Sequence, residues 1–140
     1  MKYIQEYKNK LITASEAAGF VKSGDLVEYG QAGIKPVDFD KALAARKGEP
    51  GLAHVTVRTT NAIPPIPEVA FNDPEQSTFL YYTGFMGVID RMLAQRGKIA
   101  FIPTNYHQVP SLPQIKPTYA PDIWCGLILP RKSGHEVKRI

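Results

Sequence analysis

Apolar and polar positions alternate between two periods along this chain, and the switches between them mark its elements. Tyr3, Ile4, Tyr7 and Leu11 recur at helical spacing. Thr13-Ala-Ser-Glu16 follows as a capping box, with Thr13 as the cap and Glu16 reaching back, and opens a second helix whose apolar stripe is Ala17, Phe20 and Val21. Ser23-Gly24-Asp25 ends it. Leu26, Val27 and Tyr29 predict a strand, and Pro36 suits the first position of a helix with Phe39, Ala42 and Leu43 on one face, stopped at Lys47-Gly48. Residues 54–60, rich in β-branched side chains, predict a second strand. The run Ile63-Pro-Pro-Ile-Pro67 excludes regular structure, because its prolines remove donors and fix φ. A third strand is predicted over 78–83, a helix over 88–96 ending at Gly97, a fourth strand over 98–102 halted by Pro103, and a buried fifth over 122–129. Residues 104–121 form a proline-punctuated connection. Phe79, Tyr81, Tyr82 and Phe85 lie at strand spacing, so core packing with a partly wet edge is the expectation for them rather than a recognition surface.

Strands alternating with helices predict an α/β fold with a mostly parallel sheet flanked by helices. Ligands of such sheets sit beyond the carboxyl ends of the strands, which places Gly30 to Gly33, Asn61, Gly84 and Tyr106-His107 along one edge. The segment from Asp25 to Pro36 stands out. A short apolar run ends in glycine, turns, and meets a helix-opening proline, so its backbone amides suit an anionic or carbonyl oxygen. A plain strand-to-helix turn accounts for the same pattern. Glu28 is mid-strand beside this loop and needs a partner if buried.

Length and charge narrow the picture. The chain has 140 residues, enough for one domain with a core that needs no disulfide. Cys125 is the single cysteine, set among apolar residues as an inert thiol. With no signal-like segment and no apolar run of about 20 residues, a cytoplasmic protein without membrane spans is expected. The net charge is +4, but residues 131–140 hold Arg131, Lys132, Lys138 and Arg139 against Glu136, leaving the body near neutrality and without a nucleic-acid face. Nucleic-acid binding through that tail is the weakest of the possible functions. His54, His107 and His135 have no metal-ligand spacing to other donors, so no metal is expected. No Gly-x-Ser-x-Gly elbow, Walker pattern or Gly-x-Gly-x-x-Gly occurs. His107, between Tyr106 and Gln108 in a loop after a strand, reads either as a pocket wall or as a loop histidine holding a carbonyl.

Three pieces together resemble the N-terminal domain of the acetyl-CoA hydrolase/transferase family, close to 4-hydroxybutyrate and butyryl-CoA:acetate CoA-transferases. They are Lys22-Ser-Gly-Asp25 with the strand and loop to Pro36, the strand His54-Val-Thr-Val57, and Phe101-Ile-Pro-Thr-Asn-Tyr-His-Gln-Val-Pro-Ser111. The last is the most specific, since the family shows a Tyr/Phe-His-Glu-x-Pro string there; Gln108 replaces the glutamate. The resemblance implies a CoA-transferase fold of two similar domains, of which residues 1–130 are part of the first. It implies transfer of coenzyme A between an acyl-CoA and a short-chain carboxylate, with the thioester as substrate and no bound cofactor, in a homo-oligomer. A family glutamate attacks the thioester to give an acyl-anhydride and then a glutamyl-CoA thioester. It lies in the second domain, beyond residue 140. Gln31, Ala32 and Gly33 fall on the substrate-facing loop, and Asn61, Tyr106 and His107 on the same pocket. Some relatives carry a histidine where Gln31 stands; an amide still donates. Residues 131–140 are unlike the family's continuation and read as a truncated, frameshifted or engineered end. The expectation is an enzyme fragment inactive alone; a non-catalytic α/β module that binds acyl-CoA, an anionic ligand or a partner protein is the alternative.

Overall fold

The structure, a computed structural model, describes residues 4–103, 105, 107, 123–124 and 138–139. Two short helices come first, α1 (Ile4–Lys10) and α2 (Ala14–Gly19). The capping box forms as predicted: the Thr13 side chain accepts from the Glu16 N–H at 3.2 Å, and Glu16 accepts from the Thr13 N–H at 2.7 Å. The second helix stops at Gly19, earlier than Ser23-Gly24-Asp25 suggested. Ala17, Ala18 and Val21 are buried, while Phe20 is exposed. None of the α1 residues is buried, so its apolar stripe covers no core among the described residues.

Strand β1 (Leu26–Glu28) then leads through a single 3₁₀ turn (Ala32–Ile34) to α3 (Val37–Ala44). Pro36 is the cap of α3 rather than its first residue. Strand β2 (Val55–Thr59), α4 (Glu68–Asn72), β3 (Phe79–Thr83), α5 (Val88–Gln95) and β4 (Ala100–Phe101) follow. Short strands β5 (Ile123–Trp124) and β6 (Lys138–Arg139) complete a six-stranded sheet of order β4-β3-β2-β1-β5-β6 in which every pairing is parallel. The sequence pattern missed α4, which follows the proline run directly, and β6, which lies in the basic tail. The other residues of the predicted fifth strand, Cys125 among them, lie outside the described residues.

Register explains where the core sits. Val27, Val57 and Tyr81 are level on β1, β2 and β3, and Val55 pairs with Phe79. These residues, all fully buried, pack with Phe39, Leu43, Val69 and Leu93 from the helices and with Val21 just after α2. Side chains alternate across a strand, so the positions between them face the other way. There Leu26, Thr56 and Leu80 form one row, and Glu28, Arg58 and Tyr82 the next. The helical core therefore lies on one face, and the other carries a buried ion pair. Tyr29 continues the core row past the end of β1 and packs edge-on against Phe39, ring centroids 6.2 Å apart. Among the described residues, no helix is long and apolar enough to cross a membrane.

Candidate functional site

All four strands of the helix-linked part run one way, so the segments that follow them share one edge. Lys35 is the single charged residue in 29–36, 60–67, 84–87 and 102–103, and it is buried. The opposite edge carries Lys22, Asp25, Arg46, Lys47, Glu49, Asp73, Glu75, Arg96 and Lys98. Ile34, Ile63, Phe85 and Phe101 are exposed on the uncharged edge.

The first loop is tied down closely. Gly30 turns the chain with φ +73°, a conformation that costs a glycine little. Its N–H donates to Glu28 Oε1 at 3.1 Å, and its carbonyl accepts from Thr60 N at 3.2 Å and Thr59 Oγ1 at 3.0 Å. Ala32 takes φ +48°, a strained conformation for alanine, and its N–H donates to the Asn61 carbonyl at 2.9 Å. Gln31 and Asn61 form an isolated parallel bridge. The N–H groups of Ile34 and Lys35 close the 3₁₀ turn onto Gln31 and Ala32. The loop is thus less open than the sequence suggested: most of its amides are already engaged, and the Gly33 N–H is the donor with no acceptor among the described residues.

The second and third loops meet at Asp90, in the first turn of α5. Its Oδ2 accepts from Ala62 N at 3.0 Å and from Gly87 N at 3.1 Å. Gly87 is close against Asn61. A Cβ there would overlap Asn61 Oδ1 and lie 3.2 Å from Asn61 Cγ and 3.1 Å from Asp90 Oδ2, while the backbone, at φ −73°, is ordinary. The requirement for glycine is steric. Gly87→Ala is expected to cost about 2 kcal/mol by overpacking, read as a fall in melting temperature of about 7 °C. An unchanged melting temperature would show that Asn61 swings clear.

Buried charges brace the loops from below. Lys35 Nζ donates to the carbonyls of Ile63 and Pro65, pinning the proline run to the first loop. Burial lowers the Lys35 pKa, and the charges of Asp40 and Asp90 oppose that shift. Asp40 accepts from the Tyr29 hydroxyl at 3.0 Å, Glu68 N at 2.7 Å and Val69 N at 3.4 Å, so it caps α4, which has no side-chain cap of its own. Burial pushes the Asp40 and Asp90 carboxyls up, against the hydrogen bonds they accept. The Glu28 partner is Arg58, through Nε to Oε2, both side chains nearly buried. Burial raises the Glu28 pKa, and Arg58 counters it. Among the described residues, no group of His, Cys, Asp and Glu is arranged to hold a metal ion.

Residues 1–119 match the acetyl-CoA hydrolase/transferase N-terminal domain. The chain belongs to this family. It is 34% identical over 110 residues to the butyryl-CoA:acetate CoA-transferase of Anaerostipes caccae and 38% over 112 residues to a probable butyrate:acetyl-CoA coenzyme A-transferase of Syntrophomonas wolfei. In Geobacter metallireducens it is similar to a succinyl-CoA:cyclohexane-1-carboxylate CoA transferase, 31% identical over 110 residues. Each match covers 79% of this chain and 24% of the relative, so the chain spans about a quarter of the length of these proteins. The crystal structure of RipA from Yersinia pestis has the same fold: TM-score 0.71 at 23% identity, over 89% of this chain and 30% of that one.

In this acetyl-CoA hydrolase/transferase domain, four of the six predicted site residues come together. Gln31, Ala32 and Gly33 lie beside Asn61 through the bridge and the Ala32 bond. His107 is exposed just beyond the fourth strand, and Tyr106 lies outside the described residues. Phe79, Tyr81 and Tyr82 are buried as expected, and Phe85 is the exposed member of that group. Sequence reasoning missed Lys35, Asp40, Gly87 and Asp90. Of these, Gly87 and Asp90 carry a signal in the sequence: a glycine followed three residues later by an acid at a helix start is a capping pattern.

Proposed function

We propose that this chain is the first-domain part of an acyl-CoA:carboxylate CoA-transferase, with residues 1–130 as the domain and 131–140 as a basic tail unlike the family's continuation, whose Lys138–Arg139 adds a strand beside β5. The uncharged strand edge would receive the thioester end of an acyl-CoA and the short carboxylate that exchanges with it. The attacking glutamate would come from a second domain. Its carboxylate adds to the thioester carbonyl and expels the CoA thiolate, leaving an acyl-glutamyl anhydride. The thiolate then attacks the glutamyl carbonyl, releasing the acyl carboxylate and leaving a glutamyl-CoA thioester. Each addition places negative charge on a carbonyl oxygen, which needs preorganised neutral donors. The Gly33 N–H and the Gln31 amide are the donors assigned that role here.

One observation carries this reading: in a domain of this family, the Gly30–Gly33 loop is bonded to Asn61 at an edge whose connecting segments, 29–36, 60–67, 84–87 and 102–103, offer dipoles and apolar side chains and no exposed charge. The test uses a hybrid in which residues 1–119 replace the matching part of the Syntrophomonas wolfei relative. The hybrid is expected to move coenzyme A from butyryl-CoA to labelled acetate, and Gln31→Ala to lower its kcat/KM by about tenfold without unfolding it. The 140-residue chain alone is expected to give no exchange. A folded but inert hybrid, or rapid exchange by the isolated chain, defeats the proposal.

A further inference from the structure

We propose that Asp90 is the positioning residue of the strand-edge site, holding the Gly30–Gly33 loop in place through Ala62 and Asn61. This rests on the reading of that edge as the acyl-transfer site. The chain of bonds is short. Ala32 N donates to the Asn61 carbonyl at 2.9 Å; the next residue, Ala62, donates its N–H to Asp90 Oδ2 at 3.0 Å; Gly87 N donates to the same oxygen at 3.1 Å. One carboxylate oxygen thus ties the segments after β2 and β3 together, and the first of these holds the strained Ala32 of the loop after β1.

An acid in the first turn of a helix needs no special role, because it caps its own helix. Two features set Asp90 apart. Its bond to Ala62 reaches 28 residues away, outside α5. It is also fully buried, and its Oδ1 accepts no hydrogen bond of good geometry among the described residues. The Asp90 N–H and the Thr83 hydroxyl are near enough to favour the charge, and that hydroxyl donates to the Phe85 carbonyl at 2.9 Å. Burial opposes this charge more than its hydrogen bonds favour it, and the cation that feels it, Lys35, donates to the Ile63 and Pro65 carbonyls instead, so stability alone is a weak account of a carboxylate here. What the carboxylate does achieve is geometric: it fixes the distance between two loops, and neither Ala62 nor Gly87 has a side chain that could do the same. Gly87 has none, and that of Ala62 ends at Cβ.

Amide exchange on the 140-residue chain tests the coupling without any assay of activity. Asp90→Asn is expected to speed exchange by about tenfold or more at Ala62, Gly87 and, through Asn61, Ala32, while Val57 and Tyr81 exchange as before. Unchanged exchange at Ala32 would overturn the proposal. In the hybrid transferase, the same substitution should lower kcat by about tenfold, with KM within about twofold and the protein still folded at assay temperature, because a displaced donor loop acts on the transition state more than on binding. Full kcat in a folded variant would overturn the role. Asp90→Glu keeps the charge while moving the oxygens by a methylene, and carries the same two tests should the asparagine variant not fold. An inert unsubstituted hybrid would defeat the transferase reading, and the exchange measurement would still decide whether Asp90 couples the loops.

Discussion

Replacing Arg58 by methionine is expected to lower the unfolding free energy by about 3–5 kcal/mol at pH 7. Glu28 and Arg58 are level on neighbouring strands, and each side chain is at most one-tenth exposed. Removing the guanidinium leaves a buried carboxylate with the Gly30 N–H as its remaining named partner, a bond too weak to offset the lost charge. Burial already raises the Glu28 pKa, and without Arg58 to oppose it the carboxyl moves higher. The sign of the pH effect follows. A carboxyl whose folded pKa lies above its unfolded value costs stability as pH rises between the two, so part of the loss should return on lowering the pH from 7 to 5. Changing both residues, Glu28→Gln with Arg58→Met, should cost less than Arg58→Met alone, because no buried charge remains and glutamine can still accept from Gly30. Urea melts of the single and double variants at both pH values measure this. A single variant within about 1 kcal/mol of the unmodified chain would mean that water reaches Glu28.

Asp73→Asn is the second large effect expected. Asp73 follows α4 and is buried, with its carboxylate accepting from Ser77 N at 3.2 Å, Ser77 Oγ at 2.9 Å, Thr78 N at 2.7 Å and Phe79 N at 2.9 Å. Lys47 Nζ is 3.4 Å away. Burial alone would push this carboxyl up; the hydrogen bonds outweigh it and hold the pKa at about 2. The shift from 3.8 corresponds to about 2.5 kcal/mol. A depressed pKa stabilises the fold fully above the unfolded value and loses its effect as pH falls toward 2. The stability gap between the unmodified chain and the Asp73→Asn variant should therefore be widest at pH 7 and narrow between about pH 4 and 2. Urea midpoints across that range provide the check, and a gap that stays constant would contradict the assignment.

These two sites also show where the sequence is informative and where it is not. Asp73-Pro-Glu-Gln-Ser77 separates α4 from β3, and nothing in it says that its first carboxylate gathers the amides that start β3. Glu28 was legible as a residue needing a partner; Arg58, 30 positions away, became its partner only through the β1–β2 register. Strands β1 to β4 were readable because buried parallel strands are short apolar runs punctuated by Gly and Pro. Helix α4 was not: five residues after a proline run carry too little period, and their cap is supplied by Asp40 of α3. The edge site divides the same way. Gln31, Ala32, Gly33 and Asn61 follow from topology, since loops after parallel strands share an edge. The bracing by Lys35 and Asp90 depends on which side chains turn inward, and a lysine in a Gly/Pro-rich loop gives no sign of doing so.

The strand order has a consequence for how the domain is made. Strands β2, β3 and β4 each pair with the strand synthesised just before, and each intervening helix packs on the face already begun. Loop-closure entropy rises slowly with loop length, and closures here span one helix at a time. The sheet from β1 to β4 can therefore assemble in step with its translation, without waiting for anything after residue 101. Among the described strands that pair with β1, β5 joins its free side across a long connection, so this pairing must come late.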